Sequence, residues 1–273
     1  MFRILTLNLH CYQEENQSVK FSLIAKVIHD FKIDVVLFQE AAQNKNAAQV
    51  LKINDVAIRE DNAAKIICDQ LKELGDEYNF HWDWSHFGWE IWEEGLAILS
   101  RNQLRNIKSK YISKSNSKDF WLSRIAISAQ IELNEQNIEF VTVHTGFWDD
   151  KEESFENQIE NLLSLDNTAH AVIFAGDFNV EAGTPGYEYI MKNTSFRDLY
   201  LEVNPDGMFD PTIGGVIDGW PEVDGLGKRI DYLFTSSEKL VCKKVNRIFT
   251  KENFGEVSDH FGLLAEFELL NFH

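Results

Sequence analysis

A chain of 273 residues with 44% apolar side chains holds enough material for a sizeable core. Its 26 basic against 44 acidic residues leave a formal net charge of −18, which repels polyanions and disfavours, without excluding, long nucleic acid as substrate. Three scattered cysteines form neither a disulfide scaffold nor a Cys-x-x-Cys zinc pair, and no apolar run reaches the roughly 18 residues of a membrane span.

Taken in chain order, residues 2–9 alternate and are rich in Ile and Leu, as in a buried strand. Phe21, Ile24, Val27, Ile28 and Phe31 then recur at helical spacing, predicting an amphipathic helix over 18–32, and a strand follows at 33–39. Residues 41–60 lack periodicity and read as a loop, whereas Ala64, Ile67, Cys68, Leu71 and Leu74 mark a second helix ended by Gly75. Strands are expected at 78–84, 95–100, 104–112, 121–133 and 137–144, the last two separated by the turn-prone pair Asn134-Glu135. A third helix at 152–165 carries Phe155, Ile159, Leu162 and Leu163 on one stripe, strand 171–175 follows, and Pro185 suits the first turn of a short helix to 192. Further strands are expected at 230–235, 240–249 and 261–269. No linker or repeat interrupts the chain, so one domain over 1–273 is expected, of α/β class, with mixed and largely antiparallel sheets covered by helices.

Chemistry-bearing residues gather at the ends of these strands. Asn8 ends the first and Gln39-Glu40 the second; His144 ends Phe140-Val141-Thr142-Val143; Gly176-Asp177-Phe178-Asn179 follows Ala171–Ala175. Arg229-Ile230-Asp231-Tyr232 opens a later strand, and Ser258-Asp259-His260 lies near the C-terminus. Carboxylates, amides and imidazoles so placed build sites for a hard cation and a phosphate. A carboxylate just past a buried strand is rigidly held, which makes Glu40 the leading candidate ligand for Mg²⁺.

This ordered set, running from residue 8 to residue 260, resembles the endonuclease/exonuclease/phosphatase family. That family includes pancreatic-type deoxyribonucleases, abasic-site endonucleases, neutral sphingomyelinases, inositol-polyphosphate phosphatases and bacterial sugar-phosphate phosphatases. The resemblance implies a four-layer α/β/β/α sandwich and a phosphoesterase dependent on Mg²⁺ or Mn²⁺. It implies a metal site at Asn8 and Glu40, with Asp259 joining or orienting the shell. It makes Asp177 the group that orients or deprotonates the attacking water, with Asn179 fixing water or phosphate. His260, held by Asp259 or Asp231, would contact a phosphoryl oxygen; a His held by a carboxylate has a raised pKa and can donate as a cation. His144 takes the leaving-group or phosphate-contacting role, and Glu94 could hydrogen-bond it. Arg124 matches a phosphate-contacting position, as Arg229 does less closely. His10 departs from the pattern, at a spot open to an acidic ligand in other members.

The run from Trp82 to Trp92 holds four tryptophans in eleven residues. Trp82 and Trp84 share one face of a strand and suit the core. Trp89 and Trp92, before Glu94, and Trp148, after His144, could line a rim where indoles stack on a sugar or contact a lipid. Acidic charge with aromatics at the rim suits a small phosphorylated, sugar-like substrate, and Trp92-Glu93-Glu94-Gly95 resembles the sugar-phosphate phosphatase branch. The expectation is therefore a phosphomonoesterase. Its rivals are a phosphodiesterase, nuclease or sphingomyelinase-like, and a non-catalytic phospho-ligand-binding module on the same fold. With Asn8 inside the first strand there is no room for a cleavable leader, so a soluble, cytoplasmic protein is expected, and nothing points to an obligate protein partner.

Overall fold

The computed structural model describes residues 1–133, 135–165, 169–215, 217, 219–220 and 227–270, so Asn134 of the expected turn lies outside the described residues. In chain order the elements of the first half are β1 (Phe2–Asn8), α1 (Gln17–Asp30), β2 (Val35–Asn44), β3 (Gln49–Ile53), β4 (Val56–Arg59), α2 (Ala63–Glu73), β5 (Asn79–Gly88), β6 (Trp92–Ser100) and β7 (Leu104–Tyr111). The second half holds β8 (Ile125–Leu133), β9 (Gln136–His144), α3 (Phe155–Leu163), β10 (Ala171–Asp177), α4 (Pro185–Asn193), β11 (Arg197–Asp198), α5 (Leu199–Val203), β12 (Asp231–Thr235), β13 (Leu240–Ile248) and β14 (Gly262–Leu269). One six-stranded sheet has the order β13-β14-β1-β2-β6-β5 and the other β11-β12-β10-β9-β8-β7.

Strand alternation explains the layering. On β1, Phe2 and Ile4 pack with Val35, Leu37, Ile127, Phe140 and Ile173 between the sheets, while Leu5 and Leu7 point outward to Phe21, Ile24 and Ile28 of α1 and Ile67 and Leu71 of α2. On the second sheet Val141, Val143, Val172 and Phe174 pack outward against Phe155, Ile159 and Leu162 of α3 and Ile190 of α4. Three apolar layers between four layers of structure make the α/β/β/α sandwich.

Two expectations change. The segment 41–60 is not loop: β2 runs on to Asn44 and β3 pairs with β4 as a hairpin. Most of its side chains stay half-exposed or exposed, so burial imposes no periodic signal. The strand expected from 121 begins at Ile125, because residues 120–123 form a turn closed by Ser123 N–H on Phe120 O (2.9 Å). Among the described residues no helix is long and apolar enough to cross a membrane. Cys11, Cys68 and Cys242 are buried and unpaired.

Asp76, just beyond α2, ties the helical layer to the first sheet. Its carboxylate accepts two bonds from Arg101 (2.9 and 2.8 Å) and one from His29 (2.7 Å). The Arg101 bonds, helped by His29, overcome burial and hold its pKa at about 2 against an ordinary 3.8. A depressed carboxyl pKa stabilises the fold above the unfolded value, and this contribution disappears as pH falls from 3.8 through about 2. Since Arg101 and His29 remain 24% and 29% exposed, screening leaves roughly 1 kcal/mol. Asp76→Asn should lose that much at pH 7 in denaturant melts, and the gap to wild type should close toward pH 2; a pH-independent gap would refute the ionic origin.

Candidate active site

The alternation that fills the core with Ile4, Ile173 and Phe140 turns polar at one end of the sandwich. Thr6 and Asn8 continue the inner face of β1, Thr142 and His144 that of β9, Asp177 that of β10, and Asp231 that of β12. The register places Asp177 between His144 on β9 and Asp231 on β12. Beneath them lies a polar tier, in which Gln39 Nε2 donates to Thr142 Oγ1 (2.9 Å) and Thr142 Oγ1 to Phe38 O (3.2 Å). Every member is satisfied, so this tier supports the site without a dehydrated orphan.

Two local distortions aim the side chains. Regular alternation would send Glu40 outward with Val36 and Phe38; a β-bulge and a left-handed backbone (φ 46°) bring it to the inner cavity instead. Gly176 (φ 144°) lets β10 approach β9, since a Cβ there would lie 2.0 Å from Val143 O.

Asp177 is 2% exposed. Its Oδ1 accepts the Asn179 backbone N–H (2.8 Å) and its Oδ2 the Asn8 amide (3.2 Å). His144 Nε2 stands 3.6 Å and His260 Nε2 3.8 Å from the same Oδ2. Burial, with Asp231 and Glu40 nearby and His260 opposing, pushes the Asp177 carboxyl up to about 7. His260 Nδ1 bonds Asp231 Oδ2 (2.9 Å); burial opposes its charge, but Asp231, Asp177 and Asp259 outweigh it, so the ring is an imidazolium well above its ordinary pKa. His144, buried and facing Arg124 and His260, is held neutral.

Glu40 accepts from Asn8 Nδ2 (2.8 Å), and burial with the charges of Glu94 and Asp259 raises it to about 7. Buried carboxylates forced toward protonation at Glu40, Glu94 and Asp177 are what a site for a divalent cation looks like without its charge, and Glu40 and Asp177 bring one carboxylate oxygen each within 4.8 Å of the other. The donor set fits a hard cation. Asn8, however, turns its nitrogen toward Glu40 and Asp177 and its oxygen to the backbone N–H of His10 (3.0 Å), so acting as a ligand requires its amide to rotate. Asp259 lies 3.4 Å from His10 Nδ1. Burial works against a charge on His10, but Glu14, Asp259 and Glu40 raise it to about 9, so the departing position carries a positive charge beside the carboxylates.

These groups form the floor of a cavity of about 330 Å³ whose wall includes Phe87, Trp89, Trp121, Phe147 and Ile217. Arg124, 5% exposed and bonded to Trp121 O (2.7 Å), is the one Lys or Arg among the described lining residues. Trp89, 52% exposed, stands edge-on to His10.

Four sequence expectations need correction. Trp92 is not at the rim: it stacks on Tyr12 (4.3 Å between rings, 9°) against the α1 and α2 side of the core. Trp148 packs on Phe155 and Tyr189 above α3 and α4, away from the cavity. Glu94 does line the cavity, but its Oε1 faces His86 Nε2 (3.4 Å), not His144, whose Nδ1 faces Glu40 Oε1 at 4.0 Å. Arg229 is buried away from the site on Asp198. Sequence reasoning missed His86, Phe87, Trp121, Phe147, Ile217 and Trp220; His86 and Phe87 lay inside the tryptophan-rich run, and Trp121 and Phe147 flank Arg124 and His144 closely.

The profile of the Endonuclease/Exonuclease/phosphatase family matches residues 5–260. An endonuclease/exonuclease/phosphatase family protein from Leptotrichia buccalis superposes with a TM-score of 0.88 at 31% identity, covering 98% of this chain and 100% of that one. A phospholipase C of Staphylococcus aureus is 23% identical, with 96% of this chain and 84% of the relative covered. A mannosyl-6-phosphatase of Bacteroides thetaiotaomicron shares the fold at a TM-score of 0.65 and 16% identity, covering 98% of this chain and 100% of that one.

Proposed function

Because this chain belongs to the endonuclease/exonuclease/phosphatase family and is a hydrolase of phosphoester bonds, we propose that it is a phosphomonoesterase acting on a small, sugar-like phosphate ester with Mg²⁺ or Mn²⁺. The observation that carries this reading is Asp177, buried between a cationic and a neutral imidazole less than 4 Å away, on the floor of a small aromatic-walled cavity. About 330 Å³ accommodates a small ligand and not a duplex. A net charge of −18 with one guanidinium in the wall also argues against a polyanion.

In this reading Asp177 orients the attacking water and takes its proton. His260, fixed through Nδ1 by Asp231, and Arg124 donate to phosphoryl oxygens as negative charge grows. Neutral His144 donates toward the leaving oxygen, Asn179 fixes water or phosphate, and Trp89 and Trp121 receive the organic part. A divalent cation supplies charge neutralisation at the phosphate when bound. Glu40 would hold it, with Asn8 after rotation and with Asp259.

A second reading, a phosphodiesterase of the phospholipase type, is favoured by the Staphylococcus aureus relative and by the exposure of Trp89 (52%) and Trp121 (55%) at the mouth. One screen separates them: sugar phosphates and other phosphomonoesters against phospholipids, oligonucleotides and other diesters, in Mg²⁺ or Mn²⁺ and again in excess chelator. Turnover of monoesters, abolished by chelation, is expected. Product from diesters alone would install the second reading, and undiminished turnover in chelator would end the role of the cation.

A further inference from the structure

Trp220 lies outside every motif that drew attention in the sequence, yet its indole reaches the site. Its Nε1–H donates to Asn179 Oδ1 (3.1 Å). Asn179 Nδ2 donates to Thr145 O (3.0 Å) and faces His144 Nε2 at 3.0 Å. These contacts leave no choice of amide orientation. An indole N–H can only donate and a peptide carbonyl can only accept, so oxygen must face Trp220 and nitrogen must face Thr145. His144 Nε2 therefore receives a hydrogen bond, and the proton of the neutral ring is placed on Nδ1.

Trp220 is itself well supported. Its backbone N–H bonds Ile217 O (3.0 Å), its ring stands edge-on to Phe147 (6.1 Å), and the Lys228 ammonium lies 5.6 Å from the ring while paired with Glu181 (2.7 Å). Gly219 (φ 80°) allows this turn, since a Cβ there would come 2.5 Å from the Phe147 ring. Asn179 is pinned from the other side by its left-handed backbone (φ 47°) and its N–H bond to Asp177.

We infer that Trp220 is a positioning residue for the hydrolysis proposed above: its indole N–H fixes the Asn179 amide, and through it the tautomer of His144, so that His144 Nδ1–H is the donor offered to the substrate. The inference rests on that proposed reaction only for its kinetic consequence. The tautomer can be observed without turnover.

Trp220→Phe keeps the ring against Phe147 and removes the N–H. In ¹⁵N-histidine spectra of the whole protein, wild-type His144 should show a protonated Nδ1 and an acceptor Nε2, and the variant should shift toward a mixture of tautomers. kcat should fall about 10-fold or more, since small losses of alignment at reacting groups are costly, while KM changes less than about twofold. Trp220→His, which retains a ring N–H, should recover part of both signals. Unchanged His144 nitrogens in Trp220→Phe overturn the inference, as does a variant whose KM and melting temperature deteriorate together with kcat while the tautomer persists. Should no phosphoester be turned over by the wild type, the proposed reaction falls and the nitrogen spectra alone decide the role of Trp220.

Discussion

Asp177→Asn should lower kcat by about 10²- to 10⁴-fold, the range expected when a positioned general base is lost. The substitution is nearly isosteric. Its oxygen can still accept the Asn179 backbone N–H, so the turn after β10 should hold. The new amide nitrogen, however, would face Asn8 Nδ2 and His260 Nε2, donor against donor, and could take no proton from water. The stability consequence has the opposite sign. A carboxyl raised from 3.8 to about 7 keeps in the fold a proton that the unfolded chain releases, so cation-free protein loses stability as pH rises between those values. Asp177→Asn removes this loss. In excess chelator at pH 8 the variant should therefore melt at or above the wild-type temperature while remaining inactive, and divalent cation should raise the wild-type melting temperature more than the variant's. A variant that retains wild-type kcat would remove Asp177 from the mechanism.

Arg229→Ala should destabilise the fold by about 3–5 kcal/mol, as removal of one member of a fully buried ion pair does. The Arg229 side chain is 0% exposed and its Asp198 partner 3%. Its Nη1 donates to Asp198 Oδ2 (2.8 Å) and its Nε to Met208 O (2.9 Å), and its guanidinium covers the Tyr232 ring at 4.8 Å. Without it, Asp198 stays buried, still accepting Tyr187 Oη–H (3.0 Å) and the Tyr200 N–H (3.1 Å) at the start of α5, but with its charge uncompensated. A chain of this size should lose roughly 10 °C of melting temperature. Lysine should not restore it, because an ammonium cannot span the fork and stack on a ring together. Below the melting transition kcat should stay within about twofold of wild type, since Arg229 does not line the cavity. A large fall in kcat with unchanged stability would return Arg229 to the phosphate-contacting role that its motif suggests.

The two substitutions mark the boundary between what sequence records and what it does not. Asp177 and Arg229 each stand in a short motif beside a strand. Asp177 ends β10 on its inner face and lines the cavity, whereas Arg229 precedes β12 and turns onto Asp198 and the Tyr232 ring, although alternation counted back from the inward-facing Asp231 would put it on the cavity side; only the tertiary contacts tell the two apart. Glu40 shows the limit more sharply. Its position after a buried strand was legible, but the bulge that turns it into the cavity is a departure from period two that composition does not mark.

The residues alone determined the α/β class, most of the strands and helices, and the presence of Asn8, Glu40, His144, Asp177, Asn179, Asp231, Asp259 and His260 as candidates. Burial periodicity and strand-end polarity are local properties, written into neighbouring positions of the chain. Only the tertiary structure decided that Trp92 and Trp148 pack half-buried against other rings away from the cavity, that Glu94 faces His86, and that Trp220 reaches Asn179 across 41 positions. Those outcomes depend on which side chain meets which after the sheets have closed, and a long-range hydrogen bond or ring contact leaves no periodic trace in either of the segments that make it.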